Sequence, residues 1–209
     1  MSGAMSGTPA DGRFAEAAYI DPTARIYGEV ALGEGSSLWP YAVIRAESYA
    51  VKIGRFTNIQ DLVMIHIGYQ RPTIVGEYCS IAHHVTLHGC TIGDNCLIGI
   101  NATVMDEAVI GDNCIVAGHA YVAEGTVIPA NSVVMGQPAT VRRTRNNFVA
   151  NRLNAMLYHW NALAYARGDH RAWTGAAYEA HMSAVKREIE AMFDALYGDD
   201  PLDDPAPLV

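Results

Sequence analysis

The chain has 209 residues and a formal net charge of −8; half of its residues are hydrophobic and 17% are charged. This length and apolar content predict one sizeable folded domain, whereas the negative charge argues against a nucleic-acid binder, which needs a basic patch. No apolar run approaches the roughly 20 residues that span a bilayer, and the first residues lack the basic and apolar parts of a signal peptide, so we expect a cytoplasmic protein without a membrane partner.

The composition changes along the chain. Residues 1–14 are small and polar, which predicts a disordered or extended start. Residues 15–140 carry a regular repeat, and residues 141–198 carry two apolar stripes at helical spacing, which predict two C-terminal helices. We expect these helices to pack on the repeat domain, on each other or on a neighbouring subunit. Residues 199–209 are acidic and rich in proline, which predicts a flexible tail.

An aliphatic residue recurs mostly every six residues through the repeat domain. These nineteen repeat positions are Ile20, Ile26, Leu32, Leu38, Ile44, Ile53, Ile59, Ile65, Val75, Ile81, Leu87, Ile92, Ile98, Val104, Ile110, Val116, Val122, Ile128 and Val134. A spacing of six fits neither a helix nor an alternating strand, and a β-sandwich would not hold it over such a length. It is typical of a parallel β-helix, here with about six three-sided coils. Asn or Gly three places after several repeat positions predicts corners with positive φ.

The repeat brings two histidines into one column. Numbering the hexads in threes assigns each repeat position to a face, and the residue after it points outward. Arg45, His66 and His88 then share one outward column, with the two histidines one coil apart, or about 5 Å. Two imidazoles at that separation can share a metal ion.

A third histidine lies on a different part of the coil. His83 stands two places after a repeat position of another face, above Asp61, and cannot easily join His66 and His88 within one chain. A neighbour related by threefold symmetry could present it there, so the pattern predicts an interfacial metal site and a trimer. His84 is an alternative to His83 as the ligand.

The four cysteines predict packing and not chemistry. They form no Cys-x-x-Cys pair, which argues against a cysteine-based zinc site. Cys79, Cys96 and Cys114 each fall four places after a repeat position of the third face, so we expect them to stack inward on successive coils. Cys90, beside His88, is also interpreted as structural.

At these residues the chain resembles the gamma-class carbonic anhydrases, within the hexapeptide-repeat superfamily. The resemblance covers about residues 19–145 and rests on Ala42 to Glu47, Thr57 to His66, and His83 to Gly93. It implies an all-β left-handed parallel β-helix and a homotrimer with three interfacial metal sites. In that family the ligands matching His66 and His88 come from one subunit and the ligand matching His83 comes from its neighbour.

The same resemblance implies roles for the polar residues around the ligands. Gln60 would hold the metal-bound water or hydroxide, and Asn58 would orient the site. Arg45 and Asp61 would form an ion-pair network at the interface, with Arg45 close to bicarbonate. Three imidazole ligands leave an open coordination position and suit Zn²⁺, with Fe²⁺ and Co²⁺ as alternatives. Zinc can lower the pKa of bound water to about 7.

The chain departs from that family at three places. The family's Arg-Gly-Asp is Arg45-Ala46-Glu47 here, and the acidic loop that carries a proton-shuttling Glu is missing. Glu47, Tyr49 and Tyr69 are alternative proton shuttles. The paired C-terminal helices are also longer than the single helix typical of relatives. Trp160 and Trp173 in that extension could roof a larger substrate pocket.

The leading hypothesis is therefore a zinc-dependent carbonic anhydrase, a lyase that hydrates CO2 to bicarbonate. A metal-dependent hydrolase or acyl-CoA thioesterase acting on an acyl ester is the second hypothesis. A non-catalytic structural trimer is the third, although Gln60 and Asn58 argue against it, since a structural metal site has no need to position water. An acyltransferase would act through a histidine base without a bound metal.

Overall fold

The computed structural model describes residue 14 and residues 16–198. The disordered start predicted for residues 1–14 lies outside the described residues except at Phe14, which is buried in the main hydrophobic core. The flexible tail predicted for residues 199–209 lies outside them as well.

Eighteen strands and then two helices follow one another in the described part of the chain. The strands are β1 (Tyr19–Ile20), β2 (Arg25–Leu32), β3 (Ser37–Leu38), β4 (Val43–Ile53), β5 (Asn58–Ile59), β6 (Met64–His66), β7 (Thr73–Val75), β8 (Ser80–Ile81), β9 (Thr86–His88), β10 (Thr91–Ile92), β11 (Leu97–Ile98), β12 (Thr103–Val104), β13 (Val109–Ile110), β14 (Ile115–Val116), β15 (Tyr121–Val122), β16 (Val127–Ile128), β17 (Ser132–Met135) and β18 (Thr140–Thr144). The helices are α1 (Phe148–Tyr165) and α2 (Ala176–Tyr197).

The strands form a three-sided parallel β-helix of about six coils. What we call the helix face contains β1, β3, β5, β8, β11, β14 and β17 in parallel order. The histidine face contains β6, β9, β12 and β15 with the first halves of β2 and β4, and the third face contains β7, β10, β13 and β16 with their second halves. This confirms the predicted fold class; the left-handed sense of the coil stays a prediction from the resemblance.

The six-residue spacing identifies the core. From Leu38 onward, every repeat position is at most 4% exposed, because each aliphatic side chain points into the prism and touches its counterparts on adjacent coils. Only the first-coil positions Ile20, Ile26 and Leu32 are partly exposed. Cys79, Cys96 and Cys114 lie inward and fully buried on successive coils, as predicted. Burial raises the pKa of the Cys90 thiol to about 12, in line with a structural role.

The corners between faces have left-handed backbone. Three places after the repeat positions, Gly35, Asn95 and Asn113 have φ between +56° and +67°, as predicted for their residue types. The same corner position is held elsewhere by residues that give no such signal, such as Tyr41 and Leu62. The position in the repeat, and not the residue type alone, therefore sets the left-handed conformation.

The first helix lies along the helix face. The Nδ2 atom of Asn151 donates to the carbonyl oxygens of Asn95 and Cys114 at 2.9 and 3.1 Å, which ties α1 to the backbone of two coils. Helix α2 packs on α1 through Phe148, Ile189 and Phe193. Before the helices, β18 pairs antiparallel with β17, a strand that the helical prediction for residues 141–198 did not include. Neither described helix has the length and apolarity that crossing a bilayer requires.

Candidate functional site

The histidine column forms as predicted. Parallel pairing of β4, β6 and β9 places Arg45 beside His66 and His66 beside His88. The Nδ1 atom of His66 lies 3.1 Å from Nε2 of His88. Two ligand nitrogens of a tetrahedral zinc ion lie about 3.3 Å apart at normal bond lengths. The two imidazoles are therefore already close to the spacing that a shared metal ion requires.

In each of these histidines, the ring nitrogen that points away from the other histidine faces a carboxylate. His66 Nε2 lies 3.1 Å from Glu47 Oε2, and His88 Nδ1 lies 2.8 Å from Asp106 Oδ2. Carboxylates fix the proton on the nitrogen that faces them, which leaves the inner nitrogens as acceptors. Two lone pairs at 3.1 Å repel each other unless a cation or a proton lies between them, so this donor set fits a metal ion.

Asp106 is a site residue that the repeat pattern did not identify. Its Oδ1 atom is buried without a hydrogen-bond partner among the described residues. A Cβ atom added at Gly68 or Gly89 would lie 2.1 or 2.3 Å from that oxygen. The two glycines therefore make room for the carboxylate that orients His88. The signal that could have found Asp106 was its place, two residues after Val104 on the coil next to His88.

Glu47 is shared between Arg45 and His66. Arg45 Nη1 donates to Glu47 Oε1 at 2.9 Å. The pKa of the Glu47 carboxyl lies below its ordinary value, because its own backbone N–H donates to it and Arg45 and His66 add favourable charge. Within one chain Arg45 therefore pairs with Glu47 and not with Asp61, the partner that the resemblance implies across an interface.

His83 lies at the corner between the helix face and the histidine face. Its Nδ1 atom is 3.0 Å from Asp61 Oδ2, so a carboxylate orients this imidazole too. Its Nε2 atom has no hydrogen-bond partner among the described residues. The neighbouring His84 occupies the left-handed corner position with φ of +60° and is exposed. Histidine is enriched in that conformation, which gives His84 a structural reason to be there.

Gln60 and Asn58 belong to a polar chain on the helix face. Asn58 Nδ2 donates to the carbonyl oxygen of Cys79 at 3.3 Å and to Ser80 Oγ at 3.0 Å. Because a carbonyl can only accept, the Asn58 amide is fixed with Oδ1 toward Gln60, whose Nε2 donates to it at 2.9 Å. The buried Gln60 is thus left with Oε1 as a free acceptor. Gln60 and His83 line the same cavity of about 400 Å³.

One chain brings the expected residues together in two groups. Arg45, Glu47, His66 and His88 form the first, and Tyr49 and Tyr69 line a cavity of about 630 Å³ beside these histidines. Asn58, Gln60, Asp61 and His83 form the second, at the helix face and its corner. No cluster of three or more His, Cys, Asp or Glu residues suited to a metal lies within the described part of a single chain.

Comparisons with known proteins find the hexapeptide repeat and named relatives over part of the chain. The family model for bacterial transferase hexapeptides (six repeats) matches residues 89–124. A Methanocaldococcus jannaschii protein named "Probable carbonic anhydrase" is 47% identical over 38% of this chain and 50% of its own length. Gamma carbonic anhydrase 1, mitochondrial, of Arabidopsis thaliana is 40% identical over 44% of this chain and 36% of its own length. The match thus spans half or less of these relatives.

A solved structure extends the likeness over more of the chain. The crystal structure of a candidate acetyltransferase from Bacillus cereus is 30% identical, with a TM-score of 0.60, and the match covers 71% of this chain and 89% of that one. The fold and the hexapeptide repeat agree with these relatives. The chain therefore belongs to the hexapeptide-repeat family, and its curated relatives include proteins named as carbonic anhydrases.

Proposed function

We propose that the protein is a gamma-type carbonic anhydrase that hydrates CO2 at metal sites between the subunits of a homotrimer. In each site His66 and His88 of one subunit and His83 of its neighbour hold the metal, most simply zinc. The observation that carries the proposal is the 3.1 Å separation of the inner nitrogens of His66 and His88, with Glu47 and Asp106 behind them.

The three histidines are oriented in the same way. Each has one ring nitrogen facing a carboxylate, which leaves the other as a neutral donor directed away from it. Three neutral nitrogens leave one open position in a tetrahedral site, as in catalytic zinc sites. When bound there, zinc makes water acidic enough to provide a nucleophile near neutral pH.

The residues around the ligands position the reacting groups. Gln60 lies beside His83 on the neighbouring subunit, and its free Oε1 accepts a hydrogen bond from the O–H group that attacks CO2. Asn58 holds the Gln60 amide in this orientation. Arg45 supplies positive charge beside the forming bicarbonate. Glu47 orients His66, and with Tyr49 and Tyr69 it is a proposed route by which protons leave the site.

Metal content and CO2 hydration test the proposal together. We expect about one metal ion per chain in the purified protein and CO2 hydration by stopped-flow that follows the metal content. His83→Ala should remove the metal and the activity and weaken the trimer. The matched variant His84→Asn keeps the left-handed corner and should retain the metal, the activity and the trimer.

Two outcomes would contradict the proposal. A well-folded trimer that binds no metal would remove the site. Metal lost with His84→Asn but kept with His83→Ala would make His84 the ligand.

A metal-dependent hydrolase is the second candidate function. Trp173 lines a cavity of about 270 Å³ that also contains His83, so a group larger than CO2 has room beside this ligand. Trp160, by contrast, stacks on His181 with ring centroids 3.9 Å apart and does not line that cavity. Turnover of an acyl-CoA ester without CO2 hydration would favour this function.

A further inference from the structure

The chain around the last coil contains arginines and no acidic residues. Residues 125–168 include five arginines but no aspartate or glutamate, although the whole chain has a net charge of −8. Three of these arginines lie close together in and just after β18, at Arg142, Arg143 and Arg145. This end of the β-helix is therefore positively charged within an acidic protein.

Strand β18 is an exposed edge strand. It pairs antiparallel with β17 at the end of its sheet, and all five of its residues are exposed. The register shifts between Val133 and Val134, which leaves Arg142 as the extra residue of a β-bulge. Within the described part of the chain, Arg142 forms no ion pair. Two positive charges on β18 therefore face outward from an open sheet edge.

The C-terminal end of α2 lies beside the end of this strand. Asn113 Nδ2 donates to the hydroxyl oxygen of Tyr197, the last residue of α2, at 3.4 Å. Asn147 Nδ2 donates to the carbonyl oxygens of Asn113 and Arg145, both at 3.0 Å. Because Asn113 is in contact with both Tyr197 and Asn147, the chain leaves α2 next to the C-terminal end of β18.

The residues that follow α2 carry the opposite charge. Residues 199–209, which we call the acidic tail, contain Asp199, Asp200, Asp203 and Asp204 and no lysine or arginine. Eleven residues can extend over up to about 36 Å, whereas the five residues of β18 span about 17 Å. The acidic tail is thus long enough to reach every arginine of the strand from the end of α2.

We propose that the acidic tail binds across β18 of its own chain, with its aspartates paired to the arginines of the strand and to Arg145. One exposed ion pair is weak by itself, but tethering gives the tail an effective concentration in the millimolar range. The bound tail covers the open edge of the sheet, which protects it from pairing with other chains. It also joins the end of α2 to the last coil.

Two other occupants of this edge are disfavoured by charge. A second copy of β18 would place arginines against arginines, and like charges on an edge strand oppose pairing. A nucleic acid would be repelled by the net charge of −8 on the rest of the protein. The acidic tail meets neither difficulty and is always present beside the strand.

A nitroxide spin label on Ala206→Cys measures the mobility of the acidic tail in the intact protein. All four native cysteines are buried, so the label reacts at position 206. We expect an immobilised component in the electron paramagnetic resonance spectrum at about 10 mM salt and its loss at about 1 M, where the screening length falls from about 30 to 3 Å. The same spectrum at both salt concentrations would overturn the proposal.

Two pairs of substitutions locate the contact. Arg142→Gln with Arg143→Gln changes exposed side chains, so the fold should be kept, as circular dichroism checks, and the immobilised component should be lost. Arg167→Gln with Arg171→Gln is the matched control, because it removes the same charge from exposed positions beyond the other end of α1. The control should keep the immobilised component. Loss in both variants, or in neither, would contradict binding at β18.

An exchange of charges tests whether the pairing is direct. Asp203→Arg with Asp204→Arg should free the acidic tail, and adding Arg142→Asp and Arg143→Asp to that chain should immobilise it again. No recovery would contradict the pairing. An immobilised component that disappears when the protein is diluted would show that another molecule holds the tail, and would overturn binding within the chain. None of these measurements depends on the proposed metal site.

Discussion

Asp106 illustrates how one side chain can fix the chemistry of another. Its Oδ2 holds His88 Nδ1 at 2.8 Å, while Oδ1 lies against the Cα atoms of two glycines where no side chain fits. The imidazole therefore has one orientation and one available nitrogen. A carboxylate likewise faces one ring nitrogen of the histidine in the pairs of Glu47 with His66 and Asp61 with His83.

We predict that Asp106→Asn lowers metal affinity about 10–100-fold, the usual cost of losing the carboxylate behind a histidine ligand. The affinity is measured by competition with a chromogenic chelator, and circular dichroism checks that the fold is kept. Asp112→Asn is the matched control, because Asp112 occupies the equivalent corner position of a hexad and accepts a backbone N–H from Asp94 without touching a histidine. Equal affinity in both variants would mean that Asp106 does not orient His88.

At the scale of the element, most corners of the β-helix have left-handed backbone. Asn and Gly adopt this conformation at low cost, whereas other side chains cost about 1–2 kcal/mol. Tyr41 has φ of +60° and a side chain that is 60% exposed, so its ring gives little packing in return. The chain therefore carries strain at a corner where no contact requires it.

Replacement of Tyr41 by Asn should stabilise the protein by about 0.5–1 kcal/mol. For a domain of this size that gain raises Tm by roughly 1–4 °C, which differential scanning calorimetry can resolve. Tyr121→Asn makes the same chemical change in strand β15, where Tyr121 is also exposed, and should lower Tm because Asn disfavours strands. A fall in Tm for both variants would show that the Tyr41 ring contributes more than its exposure indicates.

At the scale of the whole molecule, the two groups of site residues lie on different sides of the prism corner. His66 and His88 point outward from the histidine face, and His83 points from the preceding corner with Gln60 beside it. A closed threefold arrangement can bring the first group of one subunit against the second group of the next. Each site would then contain all of its ligands only in the assembled trimer.

Co-expression of a His66→Ala chain with a His83→Ala chain tests this dependence. Each variant alone should bind no metal. In a threefold ring, each mixed trimer has one junction at which both contributing groups are intact, so equal random mixing should restore about one quarter of the wild-type metal. Metal analysis of all the co-expressed trimers together gives the value. No recovery at all in well-formed mixed trimers would contradict ligands donated by two subunits.

The sequence predicts the three faces, the buried positions and the histidine column, because a constant spacing converts directly into position on a prism. It does not predict Asp106 as a partner of His88, since aspartates two places after a repeat position also occur at Asp94 and Asp112, where they bind backbone. It does not predict the left-handed corners at Tyr41 and Leu62, because nothing in those residue types indicates positive φ. The sequence does not predict which surface α1 contacts, since an apolar stripe does not specify what covers it.

The contact of α1 with the helix face links the number of coils to the length of the helix. An α-helix advances about 1.5 Å per residue, and the coils are about 4.8 Å apart, so one side of α1 meets a new coil every three or four residues. Asn147, Asn151 and Asn154 follow this interval and bond to Asn113, Asn95 and Ser80. A coil inserted between Ser80 and Asn113 would move these bonding sites apart by about 4.8 Å, so the helix would need about three more residues to keep all three bonds.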